Sequence, residues 1–107
     1  MTCLLSILLL LGWIGIAAAQ GVPTIDVGPS CRAAAAGNQS AQDVDSCHKS
    51  EQASREILSK QWDSFPAADR TGCYKLTTTG TPGTYSELLT CLEMRRDARN
   101  LRAKAKN

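Results

Sequence analysis

Five cysteines, one inside an apolar leader and four after it, constrain this chain more than any other feature. Leu4 to Ala19 is an almost unbroken apolar run that ends in Ala17-Ala18-Ala19-Gln20. Small residues at the end of such a run are the mark of a cleaved secretory signal peptide. The run is also shorter than the roughly 20 apolar residues a membrane-spanning helix needs. The segment before it, Met1-Thr2, lacks the usual Lys or Arg, which leaves an uncleaved membrane anchor as the competing reading. With residues 1–19 as the signal peptide, Cys3 leaves with the leader. Cys31, Cys47, Cys73 and Cys91 remain. An even number of cysteines in an exported chain predicts two disulfides and a periplasmic or secreted location.

About ninety residues then remain, which is enough for one domain but only a thin core. Aromatic residues are scarce after the leader: Trp62, Phe65, Tyr74 and Tyr85. A small chain of this kind needs staples, and each bridge supplies about 3 kcal/mol in the chain-entropy model. The net charge of +2 is too mild to argue for nucleic acid. The basic residues are unevenly spread, however. From Met94 onward, Arg95, Arg96, Arg99, Arg102, Lys104 and Lys106 face only Asp97.

The pattern predicts an all-α fold: a small disulfide-stapled helical hairpin with a short N-terminal helical turn and an irregular connector. Residues 20–30 hold two Pro and two Gly and read as a flexible lead-in. The stapled domain is then 31–107. Its Ala-rich start, Cys31 to Ala36, suits one or two helical turns ended by Gly37-Asn38. Ser40 and Asp43 form a capping-box pattern. Behind them Val44, Cys47, Ser54, Ile57/Leu58, Trp62 and Phe65 recur at helical spacing, with Glu51 the one charged member of the stripe. Pro66 disfavours helix at Phe65, which sets the helix at about 43–64. Residues 66–83 read as a connector, with Asp69-Arg70-Thr71-Gly72 and Gly80-Thr81-Pro82-Gly83 as turns and mild β propensity from Tyr74 to Thr79. Thr84 and Glu87 form a second capping box. Tyr85, Leu88, Cys91, Leu92, Met94, Ala98, Leu101 and Ala105 make the apolar face of a second long helix, about 85–104. Packing of Val44, Ile57, Leu58 and Trp62 against Leu88, Leu92, Met94 and Leu101 is expected.

Four cysteines allow three pairings. The two long helices begin alike: hydroxyl cap, acid, aliphatic, hydroxyl, Cys, with Cys47 seven residues after Ser40 and Cys91 seven after Thr84. In an antiparallel hairpin Cys47 lies about 27 Å from the Phe65 end and Cys91 about 10 Å from its own start, at 1.5 Å per residue. Bridged Cα atoms sit about 5.5 Å apart, so Cys47–Cys91 is disfavoured. Pairing in chain order, Cys31–Cys47 with Cys73–Cys91, is expected. The nested alternative is Cys31–Cys91 with Cys47–Cys73.

The residues that carry chemistry are few. His48 is the single histidine, and it has neither a haem-attachment C-x-x-C-H nor a second His for zinc. A solvent-facing helix position accounts for it. Asp43/Asp45 and Glu51/Glu56 lie beside basic residues and read as solvated or paired charge. No P-loop or dinucleotide fingerprint is present. These observations argue against an enzyme and against a cofactor. Trp62-x-x-Phe65 reads first as core; exposed, the pair would anchor a partner. Arg95, Arg96 and Arg99 open a basic helix end, which complements the helix dipole or presents a cationic face to lipid or glycan. Thr78 lies in a Thr/Gly/Pro loop from Thr77 to Thr84 that suits a protruding contact. Asn38-Gln39-Ser40 is a glycosylation sequon.

Cys31, Asp43, Cys47-x3-Glu51, Trp62-x-x-Phe65, Cys73, Thr90-Cys91 and Arg99-x-Leu101 together resemble the small periplasmic proteins of the LprI-type lysozyme-inhibitor family. The segment Tyr85-x-Glu87-Leu88-Leu89-Thr90-Cys91-Leu92-Glu93-Met94 is similar to small secreted four-cysteine bacterial proteins. The resemblance spans most of 31–101. It implies a helical fold with four disulfide-bonded cysteines, a periplasmic location and inhibition of a glycan-cleaving enzyme. Two departures stand beside it: the stretch from Cys47 to Cys73 is shorter than that family's by roughly a helix, and its Leu-Asn-x-x-Tyr segment after the second Cys is missing. Electrostatics argues against lysozyme itself as the target, because common lysozymes are cationic and so is this chain.

Two functions follow as expectations. The first is an exported non-enzymatic binding module whose partner is an envelope protein or glycan, with Trp62, Phe65, Thr78, Arg95, Arg96 and Arg99 as its contact residues. The second is a structural or stress-related periplasmic protein that meets an anionic membrane surface or glycan through its basic C-terminal helix. Both require export. The mature form is expected to begin at Gln20 by mass spectrometry, and unreduced, unfolded protein is expected to give no thiol adduct. Four adducts per chain would place the protein in a reducing compartment and remove the leader argument.

Overall fold

The computed structural model describes residues 21–36 and 41–107, and its helices are α1 (Gly28–Ala34), α2 (Ala41–Gln61), α3 (Ala67–Thr78) and α4 (Tyr85–Ala105). The proposed signal peptide over 1–19, the sequon and the Ser40 cap lie outside the described residues. Among the described residues there is no strand, and no helix is long and apolar enough to cross a membrane. The fold is all-α and disulfide-stapled. The bridges are Cys31–Cys47 and Cys73–Cys91, with Cα separations of 5.6 and 5.7 Å. Two structural disulfides belong to an oxidising compartment.

Pro66 acts twice. It holds Phe65 extended (φ −84°, ψ 135°), so the helical run stops at Ser64 as the sequence predicts, although α2 itself ends at Gln61 and Trp62–Ser64 form a 3-10 turn. It also serves as the N-cap of α3. The helical state of Ala67–Thr78 corrects the expectation of a connector there. Ala67 and Ala68 are strong helix formers, Asp69 suits the first turn, and the apparent turn glycine has a packing role. A Cβ on Gly72 would meet the Arg95 guanidinium at 2.7 Å, so its absence lets that side chain lie across α3. The chain leaves α3 through extended Thr79 and left-handed Gly80 (φ 79°).

The extra helix sets the direction of α4. Contacts between α2 and α4 run in the same chain order: Glu51 meets Tyr85 and Ser86, Ser54 meets Ser86, and Gln61 meets Arg96. The two long helices are therefore parallel, and the antiparallel hairpin is α3 with α4, joined by Cys73–Cys91. The expected disulfide pairing is observed, within a different arrangement. In the parallel register Cys91 lies about 15 Å along the axis from the level of Cys47, at 1.5 Å per residue, so a direct bond between them is still out of reach.

One residue secures that register. Glu51, the charged member of α2's apolar stripe, is buried at 7% exposure. Its carboxylate accepts hydrogen bonds from the backbone N–H of Tyr85 (2.7 Å) and Ser86 (3.2 Å) and from the Ser86 hydroxyl. Thr84 Oγ1 accepts from Glu87 N at 3.1 Å, as the capping-box pattern predicts. These bonds satisfy the free donors at the start of α4 and place a negative charge at its positive end.

The core contains Ile25, Leu58, Trp62, Phe65, Cys73, Tyr85, Leu88 and Leu92. Residues 21–27 have no regular secondary structure but form part of the packing. Ile25 is buried, its N–H donates to Tyr85 Oη at 2.9 Å, and Val22 and Val27 pack against the core. The other expected core residues divide. Val44 is half-buried, while Ile57, Met94 and Leu101 are exposed at 42%, 66% and 68%. Leu101 is nine residues beyond Leu92, about 180° round the helix at roughly 100° per residue, so it faces away from the core. Met94 is displaced by about 160° on the same count.

Replacing Glu51 with Ala should lower unfolding stability by about 3 kcal/mol, because it leaves two helix-start amides without their charged acceptor. Glu51→Gln should recover part of the loss. Loss of either disulfide should cost about 2–5 kcal/mol. Urea titration of the oxidised variants measures all three. A Glu51→Ala protein as stable as wild type would show that the α4 cap contributes nothing.

Candidate functional site

Among the described residues, two open clefts and the exposed end of α4 offer surfaces on which a ligand site can be sought. The first cleft, about 490 Å³, lies between the 21–27 segment and α2, with Ile25, His48, Glu51, Arg55 and Tyr85 in its wall. Arg55 lies over the Tyr85 ring, 5.9 Å from its centroid. Glu51 is engaged by α4, and His48 is exposed, as its helix position predicts. Among the described residues no group of three or more His, Cys, Asp or Glu could hold a metal ion.

The second cleft, about 500 Å³, is formed where α2 gives way to α3. Trp62, Asp63, Arg70, Thr71 and Tyr74 line it, and Pro23 closes one side. Arg70 and Tyr74 are one helical turn apart, so both project from the same face of α3. The Arg70 guanidinium lies 5.5 Å from the centroid of Trp62. Its Nε is shielded from solvent and has no hydrogen-bond partner among the described residues. A buried N–H without an acceptor is costly, on the order of 1–3 kcal/mol. The wall thus offers two aromatic side chains, a cation, a carboxylate and a hydroxyl. That mixture suits a polar ligand with flat apolar faces, such as a sugar ring or a peptide segment.

The contact residues expected from sequence have other tasks in the structure. Trp62 and Phe65 are buried at 7% and 2%, so neither is a free-standing anchor; Trp62 reaches the surface only as part of the second cleft. Thr78 donates its hydroxyl to Tyr74 O at 2.8 Å within α3. The loop after it is exposed over 79–82 and anchored at its two ends. Ser30 Oγ donates to Pro82 O at 2.9 Å, and Thr77 and Gly83 are buried. Arg95 and Arg99 both reach Asp69 on α3, Arg95 at 3.6 Å and Arg99 closer. Arg96 donates to Gln61 Oε1 at 3.0 Å and lies 5.5 Å from the Phe65 centroid. The three arginines are therefore half-buried joints between helices. Arg70, Tyr74, Asp69 and Glu51 were absent from the expected set. The first three fall in the segment read as a connector. Glu51 carried a visible signal, a lone charge on an apolar stripe.

Compared with family models, with curated proteins and with solved structures, the chain matches none of them. The likeness to LprI-type proteins therefore rests on the residues quoted for it above.

Asp69 is the common partner of Arg95 and Arg99, and its side chain is only 15% exposed while theirs are 38% exposed. Solvent screens the arginine ends, which limits what the pairs contribute. Asp69→Asn should cost about 1–2 kcal/mol, and Arg99→Gln should cost less when Asp69 is already Asn. A double-mutant cycle in urea gives the coupling directly. Additive effects would mean that α3 and α4 are held without this pair.

Proposed function

We propose that the chain is an exported, non-enzymatic binding module of the cell envelope that takes a protein segment or glycan into the Trp62–Arg70–Tyr74 cleft. The observation that carries this reading is the cleft itself. It combines an aromatic wall with a guanidinium whose Nε has no acceptor among the described residues, on a frame held by two disulfides. A rigid, stapled scaffold lowers the ordering cost of binding. The disulfides fit an oxidising envelope compartment, and the apolar run before Gln20 supplies a route to it. The narrower form of the reading is inhibition of a glycan-cleaving enzyme, as the LprI-type resemblance implies. It is supported by the cysteine framework and opposed by the cationic charge if the target is cationic.

Capture of partners from an envelope extract on immobilised, oxidised protein tests the reading. Arg70→Ala with Tyr74→Ala should abolish retention of the specific partner at a temperature below the variant's own melting transition, which falls because the Tyr74 ring also packs against the core. Retention of the same partner by the double variant would remove the cleft as the binding site.

A further inference from the structure

The last three turns of α4 carry an apolar stripe that faces away from the molecule. Met94, Ala98, Leu101 and Ala105 follow one another at four, three and four residues, and all four are exposed. Leu88 and Leu92, which anchor α4 in the core, lie on the opposite side. The stripe is flanked by Arg102 and Lys104, with Lys106 one turn beyond Arg102, and none of these three forms an ion pair among the described residues. The acid nearest the stripe, Asp97, lies 3.9 Å from Arg96 Nε. A helix end with an apolar stripe between basic flanks can lie in the plane of an anionic lipid surface.

We propose that α4 docks this protein on the anionic headgroup surface of a bilayer. Met94 and Leu101 dip into the headgroup boundary, and Arg102, Lys104 and Lys106 meet lipid phosphates. Charge decides between this occupant and a second copy of the chain. Two such helix ends laid together would oppose their free cations, whereas anionic lipid neutralises them. The two alanines in the stripe keep the apolar face shallow, which suits surface attachment rather than insertion. The surface used is separate from the Trp62–Arg70–Tyr74 cleft, so one can fail without the other.

The test is co-sedimentation of the full mature, oxidised protein with phosphatidylglycerol-containing and pure phosphatidylcholine vesicles at low and high salt. Binding is expected to the anionic vesicles only, and to weaken as salt rises. Met94→Gln with Leu101→Gln should weaken it about tenfold. Arg102→Gln with Lys104→Gln and Lys106→Gln should weaken it at least about tenfold and remove the salt dependence. All five positions are exposed, so the melting temperature should not move, and Arg70→Ala should bind vesicles as wild type does. Three results overturn the proposal: no binding to anionic vesicles, equal binding by the Met94/Leu101 variant, or a dimer that the Met94/Leu101 variant abolishes in a protein that ignores vesicles.

Discussion

The buried carboxylate of Glu51 is the interaction on which the rest of the arrangement depends. A charged group inside so small a core is unfavourable unless its oxygens are fully engaged. Here the positive end of α4 engages them through two backbone amides and a hydroxyl. The bond therefore does more than cap a helix. It fixes where α4 begins relative to α2, and the remaining contacts follow in register. Ser54 meets Ser86, Arg55 lies over Tyr85, and six residues further along α2 Gln61 meets Arg96. Tyr85, placed by this junction, in turn holds the 21–27 segment through Ile25.

The disulfides act on a different scale. Each closes a short separation along the chain, 16 and 18 residues, and ties an element to the helix that follows it. Neither joins α2 to α4. That joint rests on Glu51, on the apolar contacts of Leu58, Trp62, Leu88 and Leu92, and on the polar contacts of Gln61 and Arg96. The bridges restrict the unfolded chain, while the buried carboxylate and the core select among folded arrangements. Division of labour of this kind suits a chain too small to rely on apolar burial alone.

The same economy shapes the surface. The core-facing side of α4 is leucine as far as Leu92 and arginine afterwards, because Arg95 and Arg99 occupy the next positions on that side and meet Asp69. Half of the basic cluster seen in the sequence is thereby half-buried between helices, and Arg102, Lys104 and Lys106, beside an outward apolar stripe, form no ion pair among the described residues. Beneath Arg70, the indole of Trp62 belongs to the core and to the second cleft at once. The cleft and the outward stripe share one origin: side chains that build the body also shape the surfaces left over.

The sequence by itself determined the elements whose signals are local. The helical class, the stop of the helical run before Pro66, the Thr84 cap of α4, and the pairing of the cysteines in chain order were all legible, because caps, prolines and short loop spans act within a few residues. Reading Ala67–Thr78 as a connector failed because Gly72 looks like a turn residue until Arg95 is seen to lie across it. Following Leu92 to Met94 and Leu101 failed for a related reason. The α3-facing side of α4 continues past Leu92 as Arg95 and Arg99, which no apolar pattern reveals. Only the tertiary structure decided that α2 and α4 run parallel and that Glu51 is a cap for a helix 34 residues away. Those outcomes depend on which distant partner satisfies a charge or covers a ring, and no local pattern encodes the partner.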